Sequence, residues 1–129
     1  MIDMKKFHGQ AIINFMLSET DVDDIMIAAL EGGINYWCNA AEVVGEYLGE
    51  YASEQISRGG KLKLYDAEDG EVYELDIENF MRGFKLWIEN GEDEYGAVHT
   101  DGSVDVCHID AEMADMIIQY AIFNEVVFG

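Results

Sequence analysis

Basic residues are scarce in this chain: seven Lys and Arg stand against 27 Asp and Glu in 129 residues, a formal net charge of −20. Nucleic acid and anionic membrane would repel such a chain at long range, so the expected macromolecular partner is basic. The shortage is uneven. No Lys or Arg lies between Phe7 and Ser57, and none follows Lys85. Self-repulsion of this kind opposes compaction, and a halophile-type proteome or ordinary bacterial acidity would also account for it. Cysteine is scarce too. Cys38 and Cys107 are too few for a disulfide scaffold, and both are expected as buried free thiols. No apolar run approaches the roughly 18 residues of a membrane span. The run within Met1–Leu17 is short, lacks a small-residue cleavage site and leads directly into the acidic stretch 18–24, so neither a signal peptide nor a membrane anchor is expected and the reading is cytoplasmic. Phosphate-cradling GxxxxGK[ST] and GxGxxG patterns are missing, which disfavours a nucleotide-dependent enzyme.

Apolar residues make up 50% of the chain and aromatics 12%, enough to overcome the charge and fold. The length fits one compact domain over 1–129, with a loose N-terminal segment at 1–9. Gln10–Leu17 (QAIINFML) reads as a short buried strand. Ser18 and Thr20 offer cap oxygens to a first helix, with Val22, Ile25, Met26, Ala29 and Leu30 on its inner face and Gly32-Gly33 as its stop. Tyr36 and Trp37 are expected against the core. Ala40–Ser57 shows helical spacing of Val44, Tyr47, Leu48, Tyr51 and Ala52. Gly45 and Gly49 each cost about 1 kcal/mol in a helix interior and invite a kink there. Period-two alternation in Lys61–Tyr65 and Val72–Leu75 predicts a hairpin spanning 61–76. Asp76 caps a helix carrying Ile77, Phe80, Met81, Phe84, Trp87 and Ile88 on one face, stopped by Asn90-Gly91. A short strand is expected over Val104–Ile109. Asp110 caps a last helix, Ala111 to about Asn124, apolar nearly all round and therefore central. The resulting fold class is α+β, a small antiparallel sheet packed with about four helices.

Within Ala40–Ser57, Glu42, Glu46, Glu50 and Glu54 recur every four residues. On a helix, successive carboxylates would climb roughly 6 Å and form one broad anionic face. Such a face imitates the spaced phosphates of a nucleic-acid strand; it is equally a solvated helix face. Glu92, Asp93 and Glu94 form a second acidic patch. The tyrosines at 47 and 51 share a face with Val44 and Leu48, which favours core packing over an interface.

Other chemistry is weaker. Cys38, His99, Cys107 and His108 lack zinc-site spacing, and adjacent Cys107 and His108 point apart in an extended chain. No orienting group accompanies them as a nucleophile pair, so no catalytic residues are assigned. The acidic loops at 66–76 and 92–94 lack the register of a calcium-binding helix–loop–helix loop. No metal or other cofactor is expected.

The strings EGGINYWC (31–38), GEYLGEYASEQISRGG (45–60) and QYAIFNEVVFG (119–129) resemble a group of small acidic uncharacterised proteins of prophages and other mobile elements of Gram-positive bacteria. That resemblance implies an anti-defence role, as in anti-CRISPR proteins and DNA mimics, inside a bacterial host cell. It transfers no catalytic residue. Combined with the charge, it leads to the expectation of a binding protein, not an enzyme, that inhibits a host defence nuclease by occupying its basic nucleic-acid-binding surface. Glu42, Glu46, Glu50, Glu54, Glu92, Asp93 and Glu94 are its candidate contacts. The alternative is a mobile-element accessory or adaptor protein acting through an aromatic protein–protein interface.

Overall fold

The computed structural model describes residues 14–129. Helix α1 (Glu19–Ala28) starts where the sequence places it. The Ser18 hydroxyl accepts the Asp21 N–H, and the Asp21 carboxylate accepts the Ser18 N–H in return. The helix widens into a π-turn, Ala29–Gly33, closed by Ile34 N–H to the Ala29 carbonyl (3.0 Å). Gly33 there abuts the carbonyl of Ala111, where a side chain would collide.

Strands β1 (Cys38–Val43), β2 (Leu62–Asp66) and β3 (Val72–Leu75) form an antiparallel sheet in that order. Leu62, Leu64 and Leu75 point inward and are buried, while Lys63 stands between Glu42 on one side and Glu74 on the other. Asp66 organises the β2–β3 turn, accepting the N–H groups of Glu68 (2.8 Å) and Asp69 and the Tyr73 hydroxyl (3.0 Å). The fold class and the hairpin are thus as read from the sequence: a three-stranded antiparallel sheet packed against three helices.

Helices α2 (Ile77–Glu89) and α3 (Ala111–Phe123) begin at Asp76 and Asp110, whose carboxylates accept the N–H groups of Asn79 and Met113. They pack at very close range. A Cβ on Gly83 would lie 2.6 Å from the Ala121 nitrogen, so only glycine permits this approach. Arg82 then reaches across to donate to the Ala121 carbonyl (2.6 Å), one of the last-turn carbonyls that α3 cannot satisfy itself. Asn124 ends α3 in the left-handed conformation (φ 63°). Met113, Ala114, Ile117, Ile118 and Ala121 are buried, which places α3 at the centre.

Four expectations need correction. Ala40–Ser57 is not a helix: its start is β1, residues 44–51 form an irregular loop, and Ala52–Glu54 makes a single 3-10 turn. Among the described residues the α-helices therefore number three, where about four were expected. Gly45 takes φ 76°, and pairing of β1 with β2 supplies bonds that a glycine-interrupted helix cannot match. Val104–Ile109 forms one bridge, Val98 to Val104, and then a 3-10 turn at Val106–His108 capped by Asp105. The strand expected at Gln10–Leu17 lies partly outside the described residues, as does the loose segment 1–9; its described part, 14–17, is irregular. There Met16 N–H bonds to the Gly102 carbonyl, and Phe15 packs on Phe84 (centroids 4.8 Å apart).

Replacing Gly83 by Ala should destabilise the protein by about 1–3 kcal/mol through overpacking against backbone that cannot yield. Denaturant unfolding of the variant checks this, and a loss within error of zero would show that α2 and α3 can separate freely.

Candidate functional site

The candidate contact residues divide into two kinds. Glu42 lies on the outer face of β1, where its carboxylate accepts the Tyr65 hydroxyl (3.2 Å). Glu46 and Glu50 are exposed on the 44–51 loop, and Glu94 is exposed beyond α2. These four present carboxylate to solvent. Glu54 and Asp93 instead bind backbone. Glu54 Oε1 accepts the N–H groups of Glu50 (2.8 Å) and Tyr51 (3.0 Å), and its other oxygen faces Arg58 (3.5 Å). The Tyr51 and Glu50 N–H groups, in that order, hold the Glu54 carboxyl below the ordinary carboxylate range. Asp93 accepts from Ala97 (2.8 Å) and Val98 (3.0 Å), fixing the loop after α2. Glu92 is half-buried, and after burial itself its charge is what raises the Tyr120 pKa.

The single anionic helix face does not form. In its place is a loop held from beneath by two side chains of the following turn. Besides Glu54, Gln55 is almost wholly buried: its Oε1 accepts the Leu48 N–H (3.0 Å) and its Nε2 donates to the Glu46 carbonyl (3.1 Å). Gly49 and Gly60 make this possible, since a Cβ on either would strike Glu54 and Arg58, or Gln55. On the outside of this loop Tyr47 and Tyr51 are each 62% exposed, Leu48 48%, and Val44 is exposed as well. Core packing was the expectation for these four, and it is overturned. They line one side only of a hypothetical helix; on the actual loop that side faces solvent.

A second feature escaped the sequence reading. Asp115 on α3 is only 5% exposed and accepts three bonds: from the Tyr36 hydroxyl (2.6 Å), Trp37 Nε1 (2.7 Å) and Gln119 Nε2 (2.9 Å). Gln119 Oε1 in turn accepts the N–H groups of Val127 and Phe128. Phe128 stacks on Trp37 with centroids 5.2 Å apart and planes within 7°. The signal was two polar residues four apart, Asp115 and Gln119, in the part of α3 that is otherwise apolar beyond its first turn. Trp37 is buried as expected, whereas over half of Tyr36 is exposed, only its hydroxyl being drawn in. That desolvation, reinforced by the Asp115 carboxylate, pushes the Tyr36 pKa up to about 12. Two open clefts of about 580 and 540 Å³ flank Tyr36 and Phe128. Their walls carry Asp66 and Glu68, or Glu112 and Asp115, and no His, Cys, Ser, Lys or Arg. Such walls attract cations, and the Tyr36 hydroxyl on them is already engaged by the Asp115 carboxylate (2.6 Å).

Of the sulfur and imidazole groups, Cys38 is buried but Cys107 is exposed, correcting the expectation of two shielded thiols. The 3-10 turn replaces the strand that would have buried it. Among the described residues no three His, Cys, Asp or Glu side chains are disposed to hold a metal ion. No helix there is long and apolar enough to cross a membrane. No family model, curated protein or solved structure matches the chain.

Two measurements test this geometry. Cys107 should react with a thiol reagent promptly and Cys38 slowly, because burial also raises the Cys38 pKa; equal rates would contradict the assigned burial. Tyr36 is protonated in the native state to higher pH than its ordinary 10.0. Its contribution to stability is therefore complete below pH 10 and is lost as pH rises from 10 toward 12. Denaturation curves should show a shallower decline over that window in Tyr36→Phe than in the parent.

Proposed function

We propose that this protein is an acidic binding protein that inhibits a host defence nuclease by occupying its basic nucleic-acid-binding surface. The observation that carries this reading is how few of its described carboxylates are paired with a cation. Among the described residues, cations meet acids only at Arg58 with Glu19 and Glu54, Lys61 with Glu74, and His108 with Asp105 when the imidazole is protonated. Among the described residues, no cation lies within ion-pairing distance of the exposed carboxylates of Glu42, Glu46, Glu50 and Glu94. A basic groove gains from such a surface what it gains from phosphates, by release of its own counterions. The arrangement differs from the regular spacing of a strand, so the likeness to nucleic acid is one of charge rather than pitch. The sequence resemblance to proteins of prophages and mobile elements supports the anti-defence setting and the bacterial cytoplasm as its place of action.

The alternative, an adaptor acting through an aromatic protein–protein interface, is favoured by one observation, the exposure of Tyr47 and Tyr51. The two readings separate by their response to salt.

Inhibition should be assayed with purified RNA-guided nucleases and restriction endonucleases of Gram-positive hosts. Glu42→Lys, Glu46→Lys and Glu50→Lys combined should abolish inhibition and leave the circular dichroism spectrum unchanged, since these side chains support nothing in the core. Inhibition should also weaken steeply as salt rises, exposed charges being screened beyond about 8 Å at physiological ionic strength. A folded triple variant that inhibits as well as the parent, at any salt, excludes the charge mechanism.

A further inference from the structure

We infer that the 44–51 loop is a preformed recognition element, and that its occupant is a Lys- or Arg-containing segment of a partner protein that also offers a large apolar side chain. The inference rests on the charge-based reading for the sign of the partner and goes beyond it in naming an anchor. Three observations converge on the loop. Tyr47, Leu48 and Tyr51 present apolar surface to solvent within five residues. Tyrosine is among the residues that most often dominate binding energy, because it brings large contact area with few torsions to immobilise.

The loop is also held in place before any partner arrives. Four backbone groups, the N–H of Leu48, Glu50 and Tyr51 and the carbonyl of Glu46, are bonded to the side chains of Gln55 and Glu54. An exposed loop without secondary structure would ordinarily lose conformational freedom on binding; here that loss has largely been taken in folding. Arg58, by bridging Glu54 and Glu19, ties the loop to α1.

The third observation is the rim. Glu42 precedes the apolar residues, and Glu46 and Glu50 alternate with them, all three exposed. Exposed carboxylates thus flank the apolar residues along the chain, so that the anchor supplies affinity and the flanking charge selects the sign of what approaches. A second copy of this chain does not suit the site, because two loops of the same charge would repel.

Selection from a random linear-peptide library displayed on phage, with the immobilised full chain as bait, tests the proposal. Enriched peptides should combine Lys or Arg with Trp, Phe, Tyr or Leu. Their affinity should fall about thirtyfold or more for Tyr47→Ala, Tyr51→Ala, the loss expected when an anchoring aromatic is truncated. Both substitutions are at exposed positions, and an unchanged thermal midpoint confirms that the variant is folded. Basic peptides that bind parent and variant equally would overturn the loop as the contact while sparing the charge-based reading. Enrichment of peptides without basic residues, or failure to enrich any, would overturn the proposed occupant.

Discussion

A chain with so few cations must cohere without neutralising its carboxylates by ion pairs, and this constraint shapes much of the structure. The ion pairs among the described residues are at the surface, where solvent screening leaves each a small contribution. Cohesion comes from the apolar packing around α3, which receives α2 through Gly83 on one side and the Ile34–Trp37 corner on another. The acids are accommodated by backbone N–H groups instead. Asp21, Asp76 and Asp110 serve helix starts, Asp66 and Asp93 hold turns, and Glu54 holds the 44–51 loop. A carboxylate that accepts two or three N–H bonds is stabilised as an anion without any cation nearby. Acidity is in this sense partly structural, whereas Glu42, Glu46, Glu50 and Glu94 face solvent.

That division clarifies the site. Counting acidic residues overstates the surface available for contact, because Glu54 and Asp93 are turned inward to their own loops. Their replacement would disturb the presentation of neighbouring residues as well as the charge. Glu42, Glu46, Glu50 and Glu94 hold no backbone N–H group among the described residues and would carry the proposed contact without that complication. Beside three of them stands the aromatic pair Tyr47 and Tyr51, so the charge-led and aromatic readings converge on one stretch of chain even though they differ in what drives binding.

Asp115 shows the opposite use of an acid. Buried among Tyr36, Trp37 and Gln119, it joins the 36–37 segment to α3 and, through Gln119, holds residues 127–128 against Trp37. Removal of any one donor would leave a buried carboxylate short of partners, which costs more than the net value of the bond. The network thus specifies one packing of the aromatic layer formed by Trp37, Phe123 and Phe128.

Local signals were sufficient wherever the interactions themselves are local. Ser18, Asp76 and Asp110 as caps, the alternation of Lys61–Tyr65, and the apolar faces of α1, α2 and α3 were legible because a helix or hairpin satisfies its backbone within a few residues. Ala40–Ser57 misled because apolar residues at helical spacing outweighed Gly45 and Gly49 in the reading, whereas in the molecule β1 pairs with β2 across some twenty intervening residues, beyond any local pattern. Exposure of Tyr47 and Tyr51 and the coupling of Asp115 to Tyr36, Trp37 and Gln119 followed from the same cause. The sequence by itself determined the charge, the fold class and the helix starts; tertiary structure alone decided which carboxylates bind backbone and which face solvent, since that depends on partners brought close only when distant strands and helices pack.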